Sequence, residues 1–111
     1  ISCSSENKET IQVLSFKNCK VSYPQFSKGE KVLYEGHSIS NEWYLESARR
    51  ELASCLCEKY LQNPDEKTKV KILEIFKVKE EFFSKAYPKN LPFDSILKHR
   101  KEIFDNKILM D

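Results

Sequence analysis

Two cysteines sit one residue apart in the stretch ASCLCEKY, at Cys55 and Cys57, and two more lie at Cys3 and Cys19. Thiols at this density can clasp a metal, form a redox pair, or build a disulfide framework. Zinc needs four ligands that converge. Residues two apart on a helix point about 200° apart, so Cys55 and Cys57 do not grip one ion unless the helix ends there. No Cys-X-X-Cys pair offers an alternative clasp or a redox motif. No metal site is expected. The flanking residues place Cys55 on an apolar helix face beside Leu52 and Leu56 and turn Cys57 to solvent. A chain of this length and apolar content can fold without disulfide staples. It also lacks an Asn-X-Ser/Thr acceptor. These features favour reduced thiols in an intracellular setting, the nucleus included. Under oxidising conditions the expected bridge is Cys3–Cys19.

The histidines are His37, between YEG and SIS, and His99, inside KHRK. Cys19, Glu35, Ser38 and Ser40 lie near His37, so a nucleophile and a base are both available. Nothing in the sequence supplies a third orienting group or an oxyanion site. Two isolated glycines cannot build a phosphate-cradling loop. No carboxylate pair stands out from the general charge pattern. The expectation is therefore no catalytic residue, no cofactor and no small-molecule substrate.

Charge is uneven along the chain although the formal net charge is only +2. Residues 1–66 carry 8 Lys/Arg against 10 Asp/Glu, residues 67–101 carry 10 against 4, and residues 102–111 carry 1 against 3. A basic segment can be the footprint of a nucleic-acid partner. Lys69, Lys71, Lys79, Lys98, Arg100 and Lys101 would form it, with Trp43, Tyr87 or Phe93 available to stack on bases. Glu80 and Glu81 interrupt the run, and no zinc finger or RNA-recognition signature is present. Lysines that solvate helix faces explain the same pattern.

Protein binding is the remaining class. Trp43 falls on the polar side of its helix, in line with Ser47 and Arg50, and an exposed Trp near Arg is a pair enriched at interface hot spots. The competing placement tucks Trp43 against a sheet edge. Trp43, Tyr44, Arg49 and Arg50 are the candidate partner-binding residues, together with the edge of a neighbouring strand.

The elements that must position these residues are legible from periodicity. Residues 1–8 are polar and expected to fray. TIQVLSF alternates as a strand over residues 10–16. KNCK is a turn with Asn18 as its turn residue, and KVSY is a second strand stopped by Pro24. Gly29 marks another turn, and KVLYEG, residues 31–36, reads as a third strand. Ser40 suits a helix N-cap, with Ile39 and Tyr44 spaced for a hydrophobic staple. Tyr44, Leu45, Ala48, Leu52, Cys55, Leu56 and Tyr60 share one face of that helix, and Ser47, Arg50, Glu51, Ser54 and Glu58 fall opposite. In NPDE, Asn63 fits an N-cap, Pro64 the first helical position, and Asp65 and Glu66 the positive end of the dipole. A second helix follows, to about Tyr87, in preference to a strand over KVKILEIFKV. FDSILKHRKEIFDNKILMD reads as a third helix with Asp94 as its N-cap.

The expected fold is one α+β domain over residues 9–111: an antiparallel three-stranded meander followed by three covering helices. No apolar run approaches the roughly 18 residues of a membrane span. There is no secretory leader pattern, the first residue is Ile1, and the only methionine is Met110, so the chain reads as part of a longer protein. The functional expectation is a non-catalytic protein-interaction domain, binding through the first helix and the adjoining strand edge. The alternatives are a nucleic-acid-binding module and a small secreted, disulfide-linked factor.

Overall fold

The computed structural model describes residues 7–82 and 91–104, with side chains described through residue 77 of the first span. In chain order the elements are β1 (Glu9–Phe16), β2 (Cys19–Phe26), β3 (Glu30–Val32), β4 (Ser38–Ser40), α1 (Asn41–Gln62), α2 (Glu66–Phe82), α3 (Phe93–Lys98) and α4 (Arg100–Phe104). The class is α+β, as composition and periodicity imply.

The sheet is not a three-stranded meander. Two separate antiparallel hairpins form, β1–β2 and β3–β4. In the first, Phe16 opposes Cys19 across a two-residue turn, and Lys17 takes a positive φ of 54° there. The second strand continues past Pro24 to Phe26. Proline fits because Pro24 opposes Ile11 at a position where the missing N–H would point away from β1. The third strand fails to join β2 for a local reason. Asn41 spends its side-chain amide on Phe26, accepting from the Phe26 N–H at 2.8 Å and donating to the Phe26 carbonyl at 2.9 Å. The groups that a neighbouring strand would use are thereby taken. Beyond Val32 the chain turns through a single 3₁₀ turn, Tyr34–Gly36, with Glu35 and Gly36 at positive φ, and returns as β4.

Helix α1 starts as its sequence dictates. The Ser40 hydroxyl accepts the Trp43 N–H at 3.1 Å. Helix α2 is a helix over the ambiguous KVKILEIFKV, but its cap lies two residues later than Asn63. The Asp65 carboxylate accepts both the Thr68 N–H and the Thr68 hydroxyl, each at 3.0 Å, so Asp65 is the N-cap. Asn63 instead closes α1, donating its N–H to the Lys59 carbonyl. The expected third helix is two short ones broken at His99, and Pro92, not Asp94, occupies the N-cap of the first. The expected continuation of α2 to Tyr87 lies outside the described residues.

The core lies around α1. Cys19 and Val21 of β2 pack on one flank, and Ile72, Ile75, Phe76, Ile96, Ile103 and Phe104 pack on the other helices' side. Because α1 is covered on both flanks, its buried set is wider than one amphipathic face: Ala53 and Cys57 are fully buried, and Arg50, which the helical wheel assigns to the polar side, is buried too.

Candidate functional site

The cysteines resolve first. Cys19 opens β2 on the face that meets α1, and Cys55 projects from α1 toward it. Their Cα atoms are 6.0 Å apart and the sulfurs are bonded. This corrects the expected Cys3–Cys19 pairing and the expectation of reduced thiols at these two positions. Cys57 points about 200° away, as helix geometry requires, but into the packing of the other helices and not into solvent: it is 0% exposed. Among the described residues no three His, Cys, Asp or Glu side chains converge as a metal site would require.

The residues proposed for partner binding do not form one patch. Trp43 and Tyr44 lie together in the first turn of α1, both half-buried, with ring centroids 5.4 Å apart edge to face. Tyr44 meets Phe26 obliquely at 5.7 Å, and the Lys31 ammonium lies 5.9 Å from the centroid of the same Phe26 ring. Arg49 lies on a different flank, with its guanidinium 3.7 Å from the Glu46 carboxylate, and lines a cavity of about 180 Å³ beneath β1 with Leu14, Leu52 and Ile75. Arg50 is buried and offers no surface.

The signal that sequence reading passed over is the loop of the second hairpin. Val32, Leu33 and Tyr34 are 66%, 38% and 84% exposed. Their run VLY reads as strand, and only the short pairing of β3 with β4 turns it into a projecting tip. The strand that leads to the tip carries Lys31, which joins it to the ladder of Phe26, Tyr44 and Trp43. Beside it runs a groove of about 510 Å³ lined by Asn7, Glu9, Phe26, Lys28, Lys31 and Val32 among others. Asn7 braces this corner by accepting the Lys28 N–H at 2.9 Å and the Ser27 hydroxyl at 3.1 Å.

The basic residues are dispersed. Lys69 lies over the Phe93 ring at 5.3 Å, and Lys71 pairs with Glu74 at 3.3 Å. Arg100 donates to Glu58 at 2.6 Å and to the Leu97 carbonyl at 2.9 Å. That hydrogen bond holds the Glu58 carboxyl below its ordinary range. Lys98 and Lys101 are exposed, and the side chain of Lys79 lies outside the described residues, as do Tyr87 and its surroundings. His37 is exposed on the second hairpin, and His99 lies at the break between α3 and α4, 3.7 Å from Glu102.

One strongly shifted group is structural. Asp65, which caps α2, also pairs with Lys17 from the β1–β2 turn. The Lys17 ammonium first, and the Thr68 N–H second, hold its carboxyl down to about 2. The pair fastens the turn of the first hairpin to the start of α2.

No helix among the described residues is long and apolar enough to cross a membrane. No family model, curated protein or solved structure matches the chain.

Proposed function

We propose that the chain is a non-catalytic protein-binding domain that meets its partner through the tip of the second hairpin and the first turn of α1. The observation that carries this reading is the exposed triplet Val32, Leu33 and Tyr34 on the hairpin that leads into the half-buried pair Trp43 and Tyr44. Exposed apolar and aromatic side chains on one hairpin and at the helix start that follows it have the composition of an interface centre. Trp43 and Tyr44 remain binding residues in this reading, Tyr34 joins them, and Arg49 and Arg50 contribute through the fold of α1. The partner offers an apolar pocket to the Tyr34 ring.

The Cys19–Cys55 bridge favours the secreted alternative over an intracellular setting, because such bridges persist in oxidising compartments. The nucleic-acid reading has less support, because Lys71 and Arg100 are each paired with a carboxylate.

The test is capture of a protein partner by the oxidised chain, with nuclease present. Tyr34→Ala combined with Trp43→Ala is expected to weaken the captured complex at least tenfold, the scale of an interface hot spot. Lys98→Ala with Lys101→Ala is expected to leave it unchanged. Binding that survives the aromatic substitutions, or that disappears with nuclease, overturns this reading.

A further inference from the structure

The two edges of the first hairpin are protected very differently, and the difference follows from hydrogen-bond phase. Ser27 donates its N–H to the Lys8 carbonyl at 2.9 Å, so Lys8 and Ser27 form a hydrogen-bonded pair at the open end of the hairpin. Such pairs alternate along an antiparallel ladder. Residues 10, 12, 14 and 16 therefore direct their backbone groups to β2, and residues 9, 11, 13 and 15 direct theirs away from it. The same phase turns the backbone of Phe26 and Pro24 outward on the opposite edge.

That opposite edge is blocked. Pro24 has no N–H to offer, and Asn41 already occupies the N–H and carbonyl of Phe26. The β1 edge carries little of the usual protection: its one charged residue, Glu9, stands at the first position of the strand. Residues 10–16 contain no charge and no proline. Among the described residues β1 has β2 as its sole strand neighbour. Ile11 and Val13, whose backbone groups point to the open side, are 61% and 56% exposed.

We propose that this edge takes a second copy of the chain, β1 against β1, antiparallel about a two-fold axis at Gln12, giving a four-stranded sheet across the dimer. The phase permits only registers in which odd residues oppose odd residues, since a one-residue slip would mix the inner and outer faces. With the axis at Gln12, Ile11 opposes Val13 of the other copy, and the symmetry repeats this pair. Shifting the axis to Val13 sets Ile11 opposite Ser15, and shifting it to Ile11 sets Val13 opposite Glu9. Only the Gln12 register gives each exposed apolar residue an apolar partner. It also sets Glu9 opposite the neutral Ser15 of the other copy, so no like charges face each other along the ribbon. A strand edge whose exposed apolar pair complements itself under a two-fold axis fits a copy of itself better than an unrelated strand. The ribbon is short, so association is expected at roughly micromolar to hundred-micromolar concentration.

Sedimentation of the oxidised chain, from roughly 10 µM to roughly 1 mM, tests this directly. A reversible monomer–dimer equilibrium is expected. In parallel, the amides of Ile11 and Val13 should gain exchange protection with concentration, while those of Gln12 and Leu14 are protected throughout. Val13→Pro removes an outward N–H without touching the β1–β2 ladder, and is expected to weaken dimerisation at least tenfold. Ile11→Lys, on the exposed face, is the second variant and decides the matter if Val13→Pro does not fold. A chain that stays monomeric across the range overturns the proposal. So does a dimer that Ile11→Lys leaves intact, or one formed without protection of Ile11 and Val13.

Discussion

Replacing Cys19 and Cys55 together by alanine removes the covalent tie between β2 and α1. The bridged residues are 36 apart in sequence. Closing a loop of that length removes entropy from the unfolded chain worth about 4 kcal/mol at room temperature in the chain-entropy model. Cys19 is also buried, so the substitution gives up some sulfur packing in addition. Unfolding entropy scales with length, and for 111 residues a loss of about 4 kcal/mol lowers Tm by roughly 15 °C. The assay is thermal and denaturant unfolding of the oxidised chain and the double variant, with peptide mapping of the oxidised chain to read the pairing. Cysteines 3 and 57 are retained in both. A loss below about 1 kcal/mol would show that the bridge constrains little that the core does not already fix. A map joining Cys19 to a different cysteine would refute the placement of β2 on α1.

Two further outcomes follow from local geometry. The Asp65 carboxyl is held at about 2, below its ordinary 3.8, so the stability it confers is fully present above pH 4 and is lost as pH falls through about 2. Asp65→Asn keeps an acceptor for Thr68 but removes the charge, so the variant should be less stable than the parent near neutrality, and the gap should close across that window in an acid unfolding series. Asn41→Ala strands the N–H and carbonyl of Phe26, a part-buried pair. It should cost about 1–3 kcal/mol in denaturant unfolding, with Asn41→Asp intermediate because it restores the acceptor alone.

The cysteine pair shows how far sequence reasoning reaches. Helix geometry separates Cys55 from Cys57 on opposite sides of α1 without any coordinates. It does not say what covers the second side. Burial of Cys57 depends on helices from the C-terminal third, and small residues four apart, Ala53 and Cys57, were the available sign that another helix packs closely there. The same reason hid Arg50: a wheel assumes one covered face, and α1 has two. The failure of the meander is also tertiary. β3 has acceptable strand residues, but Asn41, fifteen positions beyond Phe26, takes the backbone groups that β3 would have paired with.

By itself the sequence determined what short-range physics can specify: the α+β class, the first hairpin and its turn, the Ser40 cap, the helical state of α2, and Cys55 facing the sheet. Those depend on alternation, periodicity and side chains bonding to backbone within a few residues. The tertiary structure decided which cysteine closes on Cys55, where β3 pairs, and which apolar residues are left outside. Exposure of Ile11, Val13 and Tyr34 is a property of what does not cover them, and no local pattern encodes that.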